Sequence, residues 1–156
     1  MKHEILGRWK SSRRLSYAAV SICLLATGVL LPHAAEALSA FAAGIPDNVA
    51  TQGLAFGAGY NYSTRADAEA RALQECRSRQ DAPASTIALC RVIAHFDNQC
   101  LAISMDPQAG TPGYGWAIEA TAAAANNQAL VNCRQTAGAD RVGYCVVSLT
   151  DCDTEK

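Results

Sequence analysis

The sequence predicts an α+β domain of two tandem β-β-α-β repeats, an antiparallel sheet with helices packed on one face and disulfides as staples. Three observations predict it. The stretch from Thr64 to Arg77 realigns on Thr121 to Arg134 at an offset of 57, and half of the aligned positions are identical, among them Ala68/Ala125, Ala72/Ala129, Leu73/Leu130 and Cys76/Cys133. The cysteines that follow also repeat, Cys90 with Cys145 and Cys100 with Cys152. Apolar runs rich in β-branched residues close each copy, as strands do.

Residues 1–37 read as a secretory signal peptide. Lys2, Arg8, Lys10, Arg13 and Arg14 form a basic head, an apolar run from Leu15 to Leu31 follows, and Pro32 precedes the small-residue tripeptide Ala35-Glu36-Ala37. A membrane anchor is the rival reading, because the run approaches spanning length. Cleavage near Ala37 removes Cys23 and leaves no stable membrane anchor. Six cysteines remain, an even number that in an exported chain reads as disulfides. Zinc ligation fits poorly, since such sites favour closer cysteine pairs and His95 is the one histidine after residue 37. The expected location is periplasmic or secreted.

From Leu38 onward the chain carries eight Lys/Arg against twelve Asp/Glu, a net charge of −4. That balance gives no electrostatic footprint for nucleic acid and no basic amphipathic stretch for a membrane surface.

Residues 38–52 read as a flexible lead-in, being small and polar with Pro46 among them. Residues 53–152 form a single domain, divided into repeats 53–100 and 101–152, and residues 153–156 a solvated tail. Within the first repeat, Leu54-Ala55-Phe56-Gly57 and Gly59-Tyr60-Asn61-Tyr62 predict two short strands joined by a turn. Their expected counterparts are Leu101-Ala102-Ile103-Ser104 and Gly113-Tyr114-Gly115-Trp116. Thr64 and Thr121 stand where helix N-caps belong, and Asp67 adds an acid three residues on. Ala68, Ala72 and Cys76, then Ala125, Ala129 and Cys133, recur at helical spacing and place an apolar stripe against the sheet. A longer strand follows each helix, Cys90 to Phe96 and Tyr144 to Leu149.

Six cysteines allow fifteen connectivities. The repeat favours Cys76–Cys90 and Cys133–Cys145, each pinning a helix end to the next strand, with Cys100–Cys152 joining the two halves.

Catalytic signatures are not found, nor is a metal set or a cofactor loop. Gly57-Ala58-Gly59 and Gly113-Tyr114-Gly115 lack the lysine and helix start of a phosphate loop. His95 is the one candidate base, and strand alternation puts it on the face of Arg91 and Ile93, as a partly buried histidine. Tyr60, Tyr62, Tyr114 and Trp116 are the candidate binding face if they share an exposed surface; otherwise they fill the core over the alanines.

Taken together, Ala68-Glu69-Ala70-Arg71-Ala72-Leu73 with Cys76, then Cys90, Val92, Phe96, Asn98 and Cys100, then Leu101-Ala102-Ile103, Gly115-Trp116, Cys133, Cys145 and Cys152, make a pattern. It resembles the bacterial secreted family known as domain of unknown function 4189, over Gly53 to Cys152. Asn126-Asn127 departs from it where Glu69-Ala70 stands in the first copy. The resemblance implies export, two repeats and disulfides, and carries no catalytic residue. The functional expectation is an exported binding module without catalytic activity or cofactor, an inhibitor or immunity-type protein being its sharper form and another exported protein its partner. A structural envelope protein and a small hydrolase using His95 are the alternatives.

Overall fold

The computed structural model describes residues 38–153. The expected signal peptide, residues 1–37, and residues 154–156 lie outside them.

Two three-stranded antiparallel sheets are present. The first has β1 (Leu38–Gly44) at its centre, flanked by β2 (Ala55–Tyr62) and β3 (Arg91–Asp97). In the second, β4 (Cys100–Met105) is central between β5 (Tyr114–Glu119) and β6 (Val146–Cys152). A one-turn helix, α1 (Val49–Gln52), links β1 to β2. The long helix α2 (Arg65–Arg77) and the short α3 (Ala84–Ile87) separate β2 from β3, and α4 (Ala122–Thr136) separates β5 from β6. The two halves therefore share one order, strand-strand-helix-strand, and one sheet topology.

Successive residues of a strand face opposite ways, and each central strand uses that alternation. Ala40 and Ala42 face α2, in a cluster with Ala68, Ala72 and Cys76. Ala102 faces α4, in a cluster with Ala125 and Ala129. Small side chains on both partners let each helix lie close on its sheet. The other faces carry the large residues: Phe41 and Phe96 from the first sheet meet Leu101 and Ile103 from the second. The result is four layers, helix-sheet-sheet-helix. Phe41, Leu101 and Ile103 are fully or almost fully buried, each contributing about 1.5–3 kcal/mol by burial.

Closest approach occurs at Gly57 and Gly115. A Cβ at Gly57 would stand 2.3 Å from Cys76 N and 2.5 Å from Ala72 O. One at Gly115 would stand 2.3 Å from Cys133 N and 2.5 Å from Ala129 O. These two glycines are structural equivalents, which fixes the register of the halves: Leu38 corresponds to Cys100, Ala40 to Ala102, Phe41 to Ile103 and Asp97 to Cys152.

Several expectations change with this register. Residues 38–52 are not a loose lead-in, for Leu38–Gly44 is the buried centre of the first sheet. Leu54 to Tyr62 does not hold two strands and a turn but the single strand β2. The partner of Leu101-Ala102-Ile103 is Ser39-Ala40-Phe41, not Leu54-Ala55-Phe56. The units accordingly span 38–97 and 100–152 rather than 53–100 and 101–152. In place of one sheet there are two, stacked. Asp153 is fully buried, not part of a solvated tail.

The cysteines pair as Cys76–Cys90, Cys133–Cys145 and Cys100–Cys152. The first two tie the end of each long helix to the segment entering the last strand of its half. Cys100–Cys152 does not join the halves. It lies inside the second sheet, where Cys100 and Cys152 face each other across β4 and β6.

Candidate functional site

A cleft of about 670 Å³ opens at the end of the sandwich where β1 and β4 finish. Its walls come from segments far apart in the chain: Val49–Leu54 on one side, Met105–Gly113 on the other, Arg79 to Pro83 at the mouth, and Leu149 of β6. Phe56, Met105 and Tyr114 give it an apolar floor.

Both walls are braced from below. The hydroxyl of buried Thr86 donates to Gln52 O at 2.7 Å, holding the α1 turn down, and Asn48 caps that turn by accepting from Thr51 N. Opposite, the Asp106 carboxylate has no exposed side-chain surface and accepts two bonds from Arg141, each of 2.7 Å. Asp106 also accepts from Gln108 N, and its own N–H donates to Gly113 O, closing the loop between β4 and β5. The Arg141 guanidinium holds the Asp106 carboxyl below the usual carboxylate range, with Gln108 N adding to the effect against the opposing pull of burial. Arg141 in turn lies 4.0 Å over the Tyr144 ring.

Charge at the mouth is balanced locally. Arg79 binds Asp81 at 2.9 Å through Nε and lies 4.5 Å over the Phe56 ring. The Arg79 bond lowers the Asp81 carboxyl below its ordinary value. The cleft thus offers an aromatic and aliphatic floor, loop backbone and one neutralised ion pair.

The four aromatics do not form one face. Tyr60 turns into the space between the sheets, edge-on to Phe96 with ring centres 5.8 Å apart. Trp116 packs on Phe41 there, at 5.2 Å. Tyr62 lies on the opposite side of the same strand, against the α2 cluster. The cause is a register shift between Leu38 and Ala40, with Asn61 at φ 60°; the bulge reverses the alternation between Tyr60 and Tyr62. Tyr114 lines the cleft and, with Trp116, a shallower groove of about 390 Å³ between β5 and α4.

His95 is exposed and bonds Glu69 of α2 through Nε2 at 2.6 Å. It does not share a face with Ile93, because a bulge between β1 and β3 turns Ile93 inward beside Phe96. The same bulge recurs in the second half, where Ser148 is the extra residue and donates to Ile103 O. The pair at the equivalent of Glu69 and His95 is Asn126 and Thr150, which also bond each other.

Sequence reasoning gave no site role to the cleft residues Leu149, Met105 and Asp106, nor to Arg141, which braces Asp106 from outside the lining. The one available signal was Asp106-Pro107 with Thr111-Pro112-Gly113, which marks a long, punctuated loop and so a place where function concentrates.

Fold and site together define a disulfide-bonded α+β domain of two like halves with a braced cleft at one end. The chain belongs to the family described as domain of unknown function (DUF4189), whose family model matches residues 41–152. No curated protein and no solved structure matches it. Three disulfides point to an oxidising, non-cytoplasmic environment, and among the described residues no helix is long and apolar enough to cross a membrane.

Proposed function

We propose that this protein is an exported, disulfide-stapled binding module that takes a segment of another exported protein into the cleft floored by Phe56, Met105 and Tyr114. The observation that carries the reading is the bracing of both cleft walls by buried side chains, Thr86 below one and Asp106–Arg141 below the other. A preformed site loses little conformational entropy on binding, and buried groups spent on loop geometry rather than on the core suit such a site. The partner is a polypeptide presenting an apolar side chain, since the floor is apolar and the ion pair at the mouth is already neutral. An inhibitor or immunity-type role is the sharper form of this reading. Residues 1–37 serve as the export signal, and the product is periplasmic or secreted.

A structural envelope role is the second reading, favoured by the packing of Tyr60 and Trp116 between the sheets. A hydrolase built on His95 has the least support, because that ring is engaged by Glu69 on the outside of the α2 layer.

The test is capture from the envelope fraction by the exported, oxidised protein, compared with a Tyr114→Ala/Leu149→Ser variant of unchanged circular dichroism. One stoichiometric partner, lost in the variant, is the expected result. Equal capture by both proteins moves the site elsewhere, and no partner for either moves the reading to the structural role.

A further inference from the structure

The end of the sandwich opposite the cleft holds an unexplained polar group. Asp153 follows β6, its backbone N–H donates to Gln99 O at 2.8 Å, and its side chain is fully buried. Neither carboxylate oxygen has a well-formed hydrogen bond. The Ser39 hydroxyl accepts from Asn61 N at 3.1 Å and keeps its own proton to donate, and the Asp153 carboxylate is the acceptor it acts on. Among the described residues its charged neighbour is Asp97, of like sign. The Tyr60 hydroxyl, on the same inner face and close to Asp151, is a second buried polar atom without a partner. A buried carboxylate served by one hydroxyl and facing no counter-charge is costly, by far more than a neutral group. Burial pushes the Asp153 carboxyl above its ordinary range, Ser39 opposes that, and Asp97 adds to it.

Among the described residues no cation neighbours Asp153, and processing creates one. Strand β1 begins at Leu38, the residue after Ala35-Glu36-Ala37, and Leu38 pairs with Asp97 across β1 and β3. Ser39, the neighbour of Asp153, is the next residue. Hydrolysis of the Ala37–Leu38 bond by an export peptidase consumes one water, leaves a carboxylate on Ala37 and frees an ammonium on Leu38. We infer that the Leu38 α-ammonium made by signal-peptide cleavage docks on the buried carboxylate of Asp153, with Asp97 flanking it, and locks the central strand of the first sheet. Before cleavage the same nitrogen is a neutral amide and supplies no charge to Asp153. The unprocessed chain is therefore held in a looser form, and the final tightening waits for export. In the second half the corresponding end is closed by Cys100–Cys152. Leu38 stands at the position of Cys100 and Asp97 at that of Cys152, so where the second half closes its own sheet end with a covalent bond, the first is tied by an ion pair to the residue that follows β6.

This inference rests on the export reading, and one experiment separates the two. The full chain is exported from a bacterial host beside a version with Ser-Gly inserted between Ala37 and Leu38, and mass spectrometry fixes both mature termini. Thermal midpoints are compared for the two forms with Asp153 and with Asp153→Asn. The expected result is a lower midpoint for the inserted form, and an Asp153→Asn loss in the native form that vanishes or reverses in the inserted one. A merely structural Asp153 gives equal shifts in both forms and overturns the inference. The Leu38 ammonium, followed by NMR in the unmutated protein, is expected to titrate above the usual α-amino range of about 7.7–8.0; titration within that range overturns it without any variant. A mature terminus other than Leu38 overturns the lock but leaves export standing. A chain that is neither cleaved nor exported overturns both.

Discussion

The first half, residues 38–97, and the second, residues 100–152, are built to one plan but secured differently. Each has a glycine under its long helix, Gly57 or Gly115, and a disulfide from the end of that helix to the entry of the last strand. Only the second carries a cross-strand disulfide, and only the first has an acid in the cap of its helix. The inner faces divide the labour. The first half brings Phe41 and Phe96, the second Leu101, Ile103 and Trp116, so neither sheet closes the core alone. What recurs is what holds helix to sheet. What varies is what seals sheet ends and fills the shared layer, where a change on one side is compensated on the other.

The staples give the largest test of that division. Cys100–Cys152 spans 52 residues, against 14 for Cys76–Cys90 and 12 for Cys133–Cys145. In the chain-entropy picture the long loop is worth about 4 kcal/mol and each short one about 3. Paired Cys→Ala variants, measured by urea denaturation without reductant, are expected to rank that way, with the two short staples equal. A clear inequality between Cys76–Cys90 and Cys133–Cys145 removals breaks the equivalence of the halves at its most repeated feature.

The glycines come next. Gly57→Ala and Gly115→Ala each force a helix backbone away and are expected to cost about 2–3 kcal/mol. Gly59→Ala sharpens the comparison. Its added Cβ would stand 2.6 Å from Ala68 O, yet the second half has Ala117 at the matching place and keeps its helix. Gly59→Ala is expected to cost less than Gly57→Ala, about 1 kcal/mol, with the first helix tilting toward the geometry of the second. Gly143, with open space around it, is the control and is expected to be neutral on change to alanine. If Gly59→Ala costs as much as Gly57→Ala, the first half lacks the tolerance of the second.

The helices were legible in the sequence because their signals are local. Thr64 and Thr121 cap where the hydroxyls stand, accepting from Asp67 N and Ala124 N, and the Ala-Ala-Cys stripes bury as their spacing requires. The α+β class and the strand-strand-helix-strand order followed from them. Strand β1 was not legible. Leu38-Ser39-Ala40-Phe41-Ala42-Ala43-Gly44 is rich in alanine and glycine, weak strand formers, and its extended form is dictated by partners on both sides and a helix above. Missing it displaced the repeat boundary and gave Cys100 to the wrong half. The Tyr60/Tyr62 split and the turn of Ile93 away from His95 depend on bulges, which strict alternation cannot express. The cleft was illegible for another reason: its walls come from four separated segments and become neighbours only when the sheets stack.

The smallest predicted effect lies at the two helix starts, where the halves differ at Arg65/Ala122 and at Asp67/Ala124. In the first, Thr64 caps α2 through Asp67 N, and its hydroxyl also donates to the Asp67 carboxylate at 2.6 Å. That acid sits in the first turn, where the helix dipole favours negative charge. In the second, Thr121 caps α4 through Ala124 N, with no acid in the first turn. Ala124 is the counterpart of Asp67. Ala124→Asp is expected to stabilise the protein by about 0.5 kcal/mol, and Asp67→Ala to destabilise it by a similar amount. Both gains shrink as salt screens the dipole, whereas the hydroxyl caps themselves, worth about 1 kcal/mol each, do not. Urea midpoints at low and high ionic strength separate the two contributions. Should Ala124→Asp leave stability unchanged at low salt while Asp67→Ala lowers it, the acid is not what separates the two helix starts, Arg65 against Ala122 is the remaining difference, and the likeness of the halves stops short of their caps.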